Sequence, residues 1–216
     1  MNVTGAAPLR LVWHNVAKTY GARTVWQHLA GEIQAGEVLV VSGPNGSGKS
    51  TLLRLFCGLE PPTAGTIHYF AGTHTLTPRA MRPLIGLVAP EMMMYRELTA
   101  LENLRFVAAA RGLALASADL LGQLELVGLA GRANEPVAGY SSGMLLRLKY
   151  ALALAHQPAV LLLDEPTAMF DAPGRALVET IIAAQRQRGL TILATNDQRE
   201  LAWGDYVLKV GSANEG

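Results

Sequence analysis

The stretch GPNGSGKST, residues 43–51, contains a G-x-x-x-x-G-K-S pattern followed by one more threonine. The apolar run EVLVVSG (37–43) precedes it, and SGKSTLLRLFCGL follows with the apolar spacing of a helix. A strand, a glycine-rich loop and a helix in this order predict a phosphate-binding loop, because glycines let backbone N–H groups turn toward phosphates at the helix N-terminus. The alternative is a chance glycine turn, and the flanking strand and helix argue against it.

The side chains of this loop predict how it would hold a nucleotide. Lys49 is expected to reach the β- and γ-phosphates as the only cation among them, and the Ser50 hydroxyl is expected to ligate Mg²⁺. The other residues predicted to bind the nucleotide from this loop are Gly43, Asn45, Gly46, Ser47, Gly48 and Thr51.

A second apolar strand ends in two acids. A phosphate loop by itself has no metal-binding carboxylate and no general base for hydrolysis, and these two acids are candidates for both. Residues 160–165 read Val-Leu-Leu-Leu-Asp-Glu, and ligands of parallel α/β sheets sit at the carboxyl ends of strands. We expect Asp164 to hold the Mg²⁺ shell through water and Glu165 to act as general base on the attacking water. The alternative is that the two acids end the strand only because they prefer water.

Composition narrows the class of protein. Half of the 216 residues are hydrophobic, 16% are charged and the net charge is +1, so no basic excess points to nucleic acid. Cys57, the single cysteine, excludes an internal disulfide and fits a reducing compartment. The first residues do not resemble a signal peptide, and the apolar stretches are too short to span a bilayer. These features predict a soluble, cytosolic protein.

The order of predicted elements indicates an α/β fold. Short strands fill the first 30 residues, with a turn predicted at residues 18–21, and the fully apolar runs at 159–166 and 190–197 suit a parallel sheet covered on both faces. We expect one domain over 1–216. Its core at 1–90 and 156–216 would hold a mostly parallel sheet and an N-terminal antiparallel β part, interrupted by a helical insertion at about 91–155.

Three helices are predicted in that insertion. Thr99 and Glu102 form a capping box before the first, and Ser117 is expected to cap the second. The glycine-rich segment 139–143 is expected to open the third helix, with Gly143 at its start and an end near His156.

Several motifs together resemble the ATP-binding cassette family, the ATPase subunits of ABC transporters. Residues 140–144, Tyr-Ser-Ser-Gly-Met, stand where that family has its L-S-G-G-Q signature, with Ser141 and Gly143 kept. Asp171 matches the family's D-loop aspartate, and Tyr20 matches the aromatic residue that stacks on adenine. The resemblance covers almost the whole chain. It implies a P-loop ATPase that uses ATP and Mg²⁺.

The resemblance also implies partners. Two cassettes of this family dimerise head to tail, so that the Ser141–Gly143 signature of one copy closes over the ATP of the other. The helical insertion would dock on a membrane permease, which places the chain in the cytoplasm, peripheral on the inner face of the cell membrane. A plain amphipathic helical hairpin without a partner is the alternative.

Two positions depart from the family pattern. The family has a glutamine after the strand that IGLVAP (85–90) represents, and that position is Pro90 here; it ends the strand of LTILATND (190–197) with a histidine, and that position is Asn196. Asn196 is expected to line the site, where its amide can donate to a phosphate oxygen but cannot carry charge. The alternative for Asn196 is a strand end that merely reaches solvent.

Residues 97–106 resemble the haem-exporter branch of the family, which serves cytochrome c maturation, although other export cassettes share parts of this stretch. Two other classes stay open beside a transport ATPase. One is a slow or degenerate cassette that acts as a dimerising regulatory module, because Pro90 and Asn196 replace polar contacts to the reacting phosphate. The other, a P-loop GTPase, is weak because the sequence has no N-K-x-D motif.

Overall fold

The computed structural model of the protein describes residues 8–211, which form nine strands and six α-helices. In chain order these are β1 (Arg10–Tyr20), β2 (Arg23–Gln34), β3 (Val38–Ser42), α1 (Lys49–Phe56), β4 (Ala64–Ala71), β5 (His74–Leu76), α2 (Pro78–Met81), β6 (Ile85–Val88), α3 (Ala100–Ala110), α4 (Ser117–Leu126), α5 (Ser142–Leu154), β7 (Val160–Asp164), α6 (Ala172–Arg186), β8 (Leu190–Thr195) and β9 (Tyr206–Lys209). Four short 3-10 helices lie between them, at Arg82–Leu84, Ala130–Arg132, Val137–Gly139 and Gln198–Trp203. No helix in this part of the chain is long and apolar enough to cross a bilayer.

The first sheet is antiparallel and has the strand order β2-β1-β4-β5. The turn predicted at residues 18–21 was wrong for its first three residues, because Lys18 pairs with Trp26 and Tyr20 with Arg23 in the β1–β2 ladder. The chain reverses at Gly21, whose φ of 57° is left-handed and therefore suits glycine.

The second sheet has the strand order β6-β7-β8-β3-β9, and each of its pairings is parallel. Every residue of β3, β7 and β8 is buried, which explains why these strands are continuous apolar runs rather than alternating ones. The predicted α/β class with an antiparallel N-terminal part is confirmed. The order of the strands brings the carboxyl ends of β7, β8 and β3 side by side.

The parallel sheet separates two layers of core. Successive residues of β7 point to opposite faces: Val160 and Leu162 pack with the antiparallel sheet and α1, while Leu161 and Leu163 pack with the helices. Burying one leucine side chain contributes about 1.5–3 kcal/mol, so both layers anchor β7 firmly. The two acids at its end are therefore held by a rigid strand.

Helices α3, α4 and α5 lie in the predicted helical insertion, but only some of their predicted first residues are correct. The Thr99–Glu102 capping box on α3 is confirmed, with the Thr99 N–H donating to Glu102 Oε2 over 2.8 Å. The expected cap at Ser117 was wrong, because Ala116 occupies the cap position and its N–H donates to Asp119 Oδ2 over 3.0 Å.

Helix α5 begins one residue earlier than expected, at Ser142, and ends at Leu154 rather than near His156. Its cap is Ser141, whose hydroxyl oxygen accepts the Met144 N–H over 3.3 Å. The expectation that Gly143 opens this helix is therefore corrected: Gly143 lies within the first turn.

Candidate functional site

The loop between β3 and α1 takes a shape that its glycines make possible. Gly46 and Gly48 have φ of 78° and 95°, in the region where other residues are strained. A Cβ on Gly48 would lie 2.3 Å from Val25 Cγ1, and one on Gly43 would lie 2.3 Å from the Val210 carbonyl oxygen. The predicted loop residues are thus brought together in one tight turn that ends on the N-terminus of α1, a ready site for an anion.

Lys49 is the buried cation of this loop, with 6% of its surface exposed. Its Nζ donates to the carbonyl oxygens of Gly43, over 2.9 Å, and Pro44, over 3.2 Å. The same Nζ lies 3.6 Å from Glu165 Oε1. The ammonium is therefore positioned between the loop and the predicted general base.

A cavity of about 640 Å³ opens over this loop, within the range of small-molecule sites. It is lined by Tyr20, Arg23, Val25, Asn45, Gly46, Gly48, Lys49, Ser50, Thr51, Arg54 and Glu165. Arg23 and Arg54 are further cations on this cavity, and the expectation that Lys49 is the only cation among the phosphates stays a prediction. Neither arginine belongs to a sequence motif, so only the folded chain reveals them.

Tyr20 lies at the rim of this cavity and is half-exposed. Its hydroxyl donates to the Glu60 carboxylate, and Lys18 Nζ lies 4.8 Å from the centre of its ring. The hydrogen bond from Tyr20 is the main reason why the pKa of Glu60 lies below its usual range. The ring is held at the place where an adenine could stack on it, which remains a prediction.

Asp164 ends β7 with 5% of its surface exposed, and its Oδ1 is buried with no hydrogen-bond partner among residues 8–211. Burial raises the pKa of this carboxyl, and the Ser50 hydroxyl partly opposes the shift. An unpartnered carboxylate oxygen beside a hydroxyl fits Mg²⁺, which prefers oxygen ligands. Within the described residues no three His, Cys, Asp or Glu side chains converge on a metal, so phosphate and water oxygens would have to complete the shell.

Glu165 has a backbone φ of 50°, which is unusual for a residue with a side chain. Its N–H donates to the Ala194 carbonyl oxygen on β8 over 2.9 Å, and its side chain lines the phosphate-loop cavity. Burial raises the pKa of Glu165, and Lys49 opposes that shift. A carboxylate with a raised pKa accepts a proton from water more readily than an ordinary one.

Asn196 follows β8 and reaches the phosphate loop. Its Nδ2 donates to Asn45 Oδ1 over 2.9 Å. The polar end of LTILATND therefore meets the loop instead of only facing solvent, because β8 lies directly beside β3 in the sheet. Whether Asn196 contacts a reacting phosphate remains a prediction.

The predicted site residues that do not line this cavity are Gly43, Ser47, Asp164, Asn196, Ser141, Gly143 and Asp171. The last three also lie outside the phosphate loop and the ends of β7 and β8. Ser141 caps α5, and the Asp171 carboxylate caps α6 by accepting the Gly174 N–H over 2.9 Å. A Cβ on Gly143 would lie 3.6 Å from the Met169 carbonyl oxygen, in ordinary contact. Within one copy of the chain these residues have structural contacts, and their binding role stays a prediction.

Pro90, which stands where the ABC family has a glutamine, lies in the segment after β6. Lys149 on α5 donates from Nζ to the carbonyl oxygens of Ala89, over 2.9 Å, and Pro90, over 2.7 Å. Glu91 accepts from Arg54 Nη2 over 2.7 Å, yet it also lines a cavity of about 220 Å³ together with Ser50 and Asp164. Glu91 therefore lies on the same small cavity as Ser50 and Asp164, while the carbonyl oxygens of Ala89 and Pro90 are bonded to Lys149.

Comparison with known proteins assigns the fold and the family. The family model "ABC transporter" matches residues 26–168. The chain is 37% identical over 206 residues to the Fe(3+) ions import ATP-binding protein FbpC of Agrobacterium fabrum and 38% identical over 190 residues to the Nod factor export ATP-binding protein I of Sinorhizobium fredii. These alignments cover 93% and 87% of the chain but only 58% and 55% of the relatives, so the chain spans little more than half their length.

A solved structure agrees with this assignment. An ATP-binding cassette determined as a dimer in a post-hydrolysis state with ADP and Pi has a TM-score of 0.81 to the chain at 25% identity, covering 93% of the chain and 94% of the cassette. The glycine loop, the two acids after β7 and the antiparallel sheet beside a parallel one all fit that fold. The chain belongs to the ABC transporter family.

Proposed function

We propose that this chain is the ATP-binding and ATP-hydrolysing subunit of a transporter and that it drives export through a separate membrane permease. The observation that supports this most directly is the 3.6 Å approach of Lys49 Nζ to Glu165 Oε1 at the mouth of the phosphate loop. Lys49 and Glu165 line the same cavity, which supports their proposed roles as the cation that binds phosphate and the base that acts on water.

In this proposal each side chain of the site has its own role in ATP hydrolysis. Lys49 and the loop N–H groups would hold the β- and γ-phosphates, and Glu165 would accept a proton from the attacking water. Ser50 and Asp164 would hold Mg²⁺, which supplies positive charge to the phosphate oxygens. Asn196 would donate its amide N–H to a phosphate oxygen, and Tyr20 would stack on adenine.

The proposal includes a second copy of the chain. Ser141, Gly143 and Asp171 lie outside the cavity of their own copy, so a head-to-tail partner could present its ATP to them. The dimeric state of the similar cassette with ADP and Pi supports this arrangement. Helix α5, capped by Ser141, would then direct its positive N-terminus at the partner's phosphates.

The region at about 91–155 is proposed as the helical signature subdomain that meets the permease. Exposed apolar side chains there, Met93, Tyr95 and Phe106, support a contact with another protein. The chain would accordingly be cytoplasmic and peripheral on the inner face of the cell membrane.

For the transported molecule we propose haem, for cytochrome c maturation, because residues 97–106 resemble that branch. Much of this stretch is structural here: Thr99 and Glu102 form the cap of α3, and buried Asn103 donates to the Tyr95 carbonyl oxygen over 2.9 Å. Deleting the gene should abolish assembly of c-type cytochromes. Normal cytochrome assembly would refute haem export and leave the ATPase proposal standing, with another export cassette as the alternative.

Steady-state phosphate release tests the main proposal. Purified chain with ATP and Mg²⁺ should release phosphate, and Glu165→Gln should stop this release because an amide cannot accept the proton. The competing function, a slow regulatory module, predicts a wild-type rate no higher than that of Glu165→Gln. Lys49 and Glu165 line one cavity, and Asp164 directly precedes Glu165 at the end of β7; this arrangement favours the ATPase.

A further inference from the structure

A buried acid lies next to the site without belonging to the phosphate cavity. Glu200, in the 3-10 helix Gln198–Trp203, has 2% of its surface exposed. Its Oε1 accepts a hydrogen bond from the Thr167 hydroxyl, and its Oε2 is buried with no partner among the described residues. Burying a carboxylate costs free energy unless the carboxylate is hydrogen-bonded, so the Thr167 hydroxyl is important for keeping Glu200 in this position.

The Thr167–Glu200 bond joins two segments that are 33 residues apart in sequence. Thr167 lies two residues after the proposed base Glu165, and Glu200 lies four residues after Asn196. The bond therefore ties the turn after β7 to the turn after β8, at the edge of the sheet where both proposed catalytic side chains stand.

A second buried hydrogen bond holds the same turn from the opposite direction. The Tyr150 hydroxyl on α5 donates to the Pro166 carbonyl oxygen over 3.0 Å, and the tyrosine is fully buried. The residue just after Glu165 is thus fixed to the helix that Ser141 caps, while the next residue is fixed to the segment after Asn196.

These bonds surround a strained residue. The φ of Glu165 is 50°, a conformation that persists only where the surrounding structure enforces it. The Glu165 N–H donates to the Ala194 carbonyl oxygen on the strand side, and the Glu165 carbonyl oxygen accepts the Ala168 N–H over 3.3 Å on the other side. Pro166 and Thr167 lie inside the turn that this second bond closes, so whatever holds these two residues also holds the conformation of Glu165.

We propose that Thr167, Glu200 and Tyr150 are positioning residues for the general base, holding the strained turn so that the Glu165 carboxylate faces the phosphate loop. The proposal rests on the proposed ATPase activity. None of the three side chains lines the phosphate-loop cavity, so they act on the reaction through Glu165 and leave the binding of ATP to the loop.

The test compares Thr167→Val with Thr167→Ser and with a matched control. Thr191→Val is the control, because Thr191 is a fully buried threonine of β8 whose hydroxyl has no partner within residues 8–211. Thr167→Val should lower kcat about tenfold or more with KM for ATP changed by less than about twofold, since small misplacements of a reacting group cost up to about 10²-fold. Thr167→Ser, which keeps the hydroxyl, and Thr191→Val should stay near the wild-type kcat.

Two further measurements distinguish positioning from general loss of structure. Tyr150→Phe should lower kcat without raising KM, which keeps the proposal testable if Thr167→Val does not fold. On the Glu165→Gln background, Thr167→Val should change the residual single-turnover rate by less than about twofold, because effects that pass through one residue are not additive.

The outcomes separate this proposal from the proposed function. A wild-type chain that does not hydrolyse ATP would refute the ATPase proposal itself. If the wild-type chain hydrolyses ATP, three results would refute the positioning role alone. These are a Thr167→Val variant with full kcat, equal losses of kcat in Thr167→Val and Thr191→Val, and independent losses from Thr167→Val and Glu165→Gln.

Discussion

Replacing Asn196 by alanine is expected to slow ATP hydrolysis more than it weakens ATP binding. The structure places the Asn196 amide 2.9 Å from Asn45 Oδ1, so this side chain already touches the phosphate loop. In our proposal Lys49 and the loop N–H groups would hold the bound nucleotide in either case. The loss should therefore appear in kcat, with KM for ATP changing by less than about threefold.

The size of the loss distinguishes two roles for the amide. If Asn196 only braces Asn45, one neutral hydrogen bond is lost, worth about 0.5–1.5 kcal/mol, or about two- to tenfold in rate. If it also donates to a charged phosphate oxygen in the transition state, the loss is about 1.5–3 kcal/mol, or about ten- to a hundredfold. We expect the larger value.

The assay is steady-state phosphate release at saturating ATP and Mg²⁺ by wild type, Asn196→Ala, Asn45→Ala and the double variant. A direct contact with phosphate predicts that Asn196→Ala slows the reaction even when Asn45 is already alanine. Asn196→His should raise the wild-type rate, because it restores the donor that the family has at this position. Unchanged turnover in Asn196→Ala would refute the reasoning and reduce the residue to a strand end.

The remaining predictions concern binding, trapping and pH. Lys49→Ala should abolish ATP binding measured by calorimetry, and an unchanged affinity would mean that Arg23 and Arg54 hold the phosphates instead. Glu165→Gln should bind ATP without hydrolysing it and form a stable dimer on size-exclusion chromatography, and a monomer at saturating ATP and Mg²⁺ would contradict the dimer. Burial lowers the pKa of His156 to about 4, so the folded chain stays neutral there while the unfolded chain takes up a proton below about 6.5. The melting temperature should therefore fall as pH drops from 6.5 toward 4, and His156→Gln should fall less; equal falls would exclude His156 as the cause.

The sequence predicts the local parts of this molecule well and its long-range contacts poorly. Residues 160–164 and 190–195 are recognisable as strands because burial on both faces demands an unbroken apolar run. Lys18–Tyr20 looked like a turn because polar residues favour one locally, and only pairing with β2 keeps them extended. The cap of α4 was misplaced because Ala116 has no capping side chain to mark it, and the helix start is held instead by the Ala116 N–H, which donates to Asp119 Oδ2.

At the site, too, residues within one short motif are predictable from sequence, and contacts between distant segments are not. Lys49 and Asp164 are predictable because their roles depend on a spacing of a few residues within one loop or strand end. Arg23 and Arg54 enter the cavity from β2 and α1 without a motif to mark them. The contact of Asn196 with Asn45 depends on the order of strands in the sheet, which no window of sequence contains.

That strand order also sets a time at which the site can first exist. Strand β3 lies between β8 and β9, and Val38 pairs with Thr191. The phosphate loop is synthesised early, yet both neighbours of its strand follow about 150 residues later, roughly 8–30 seconds at ribosomal rates of about 5–20 residues per second. During that interval the backbone N–H and C=O groups along both edges of β3 have no native partner, and its apolar side chains lack the rest of the sheet. The nascent chain is therefore exposed to aggregation until β8 emerges, and nucleotide cannot stabilise the fold before that point.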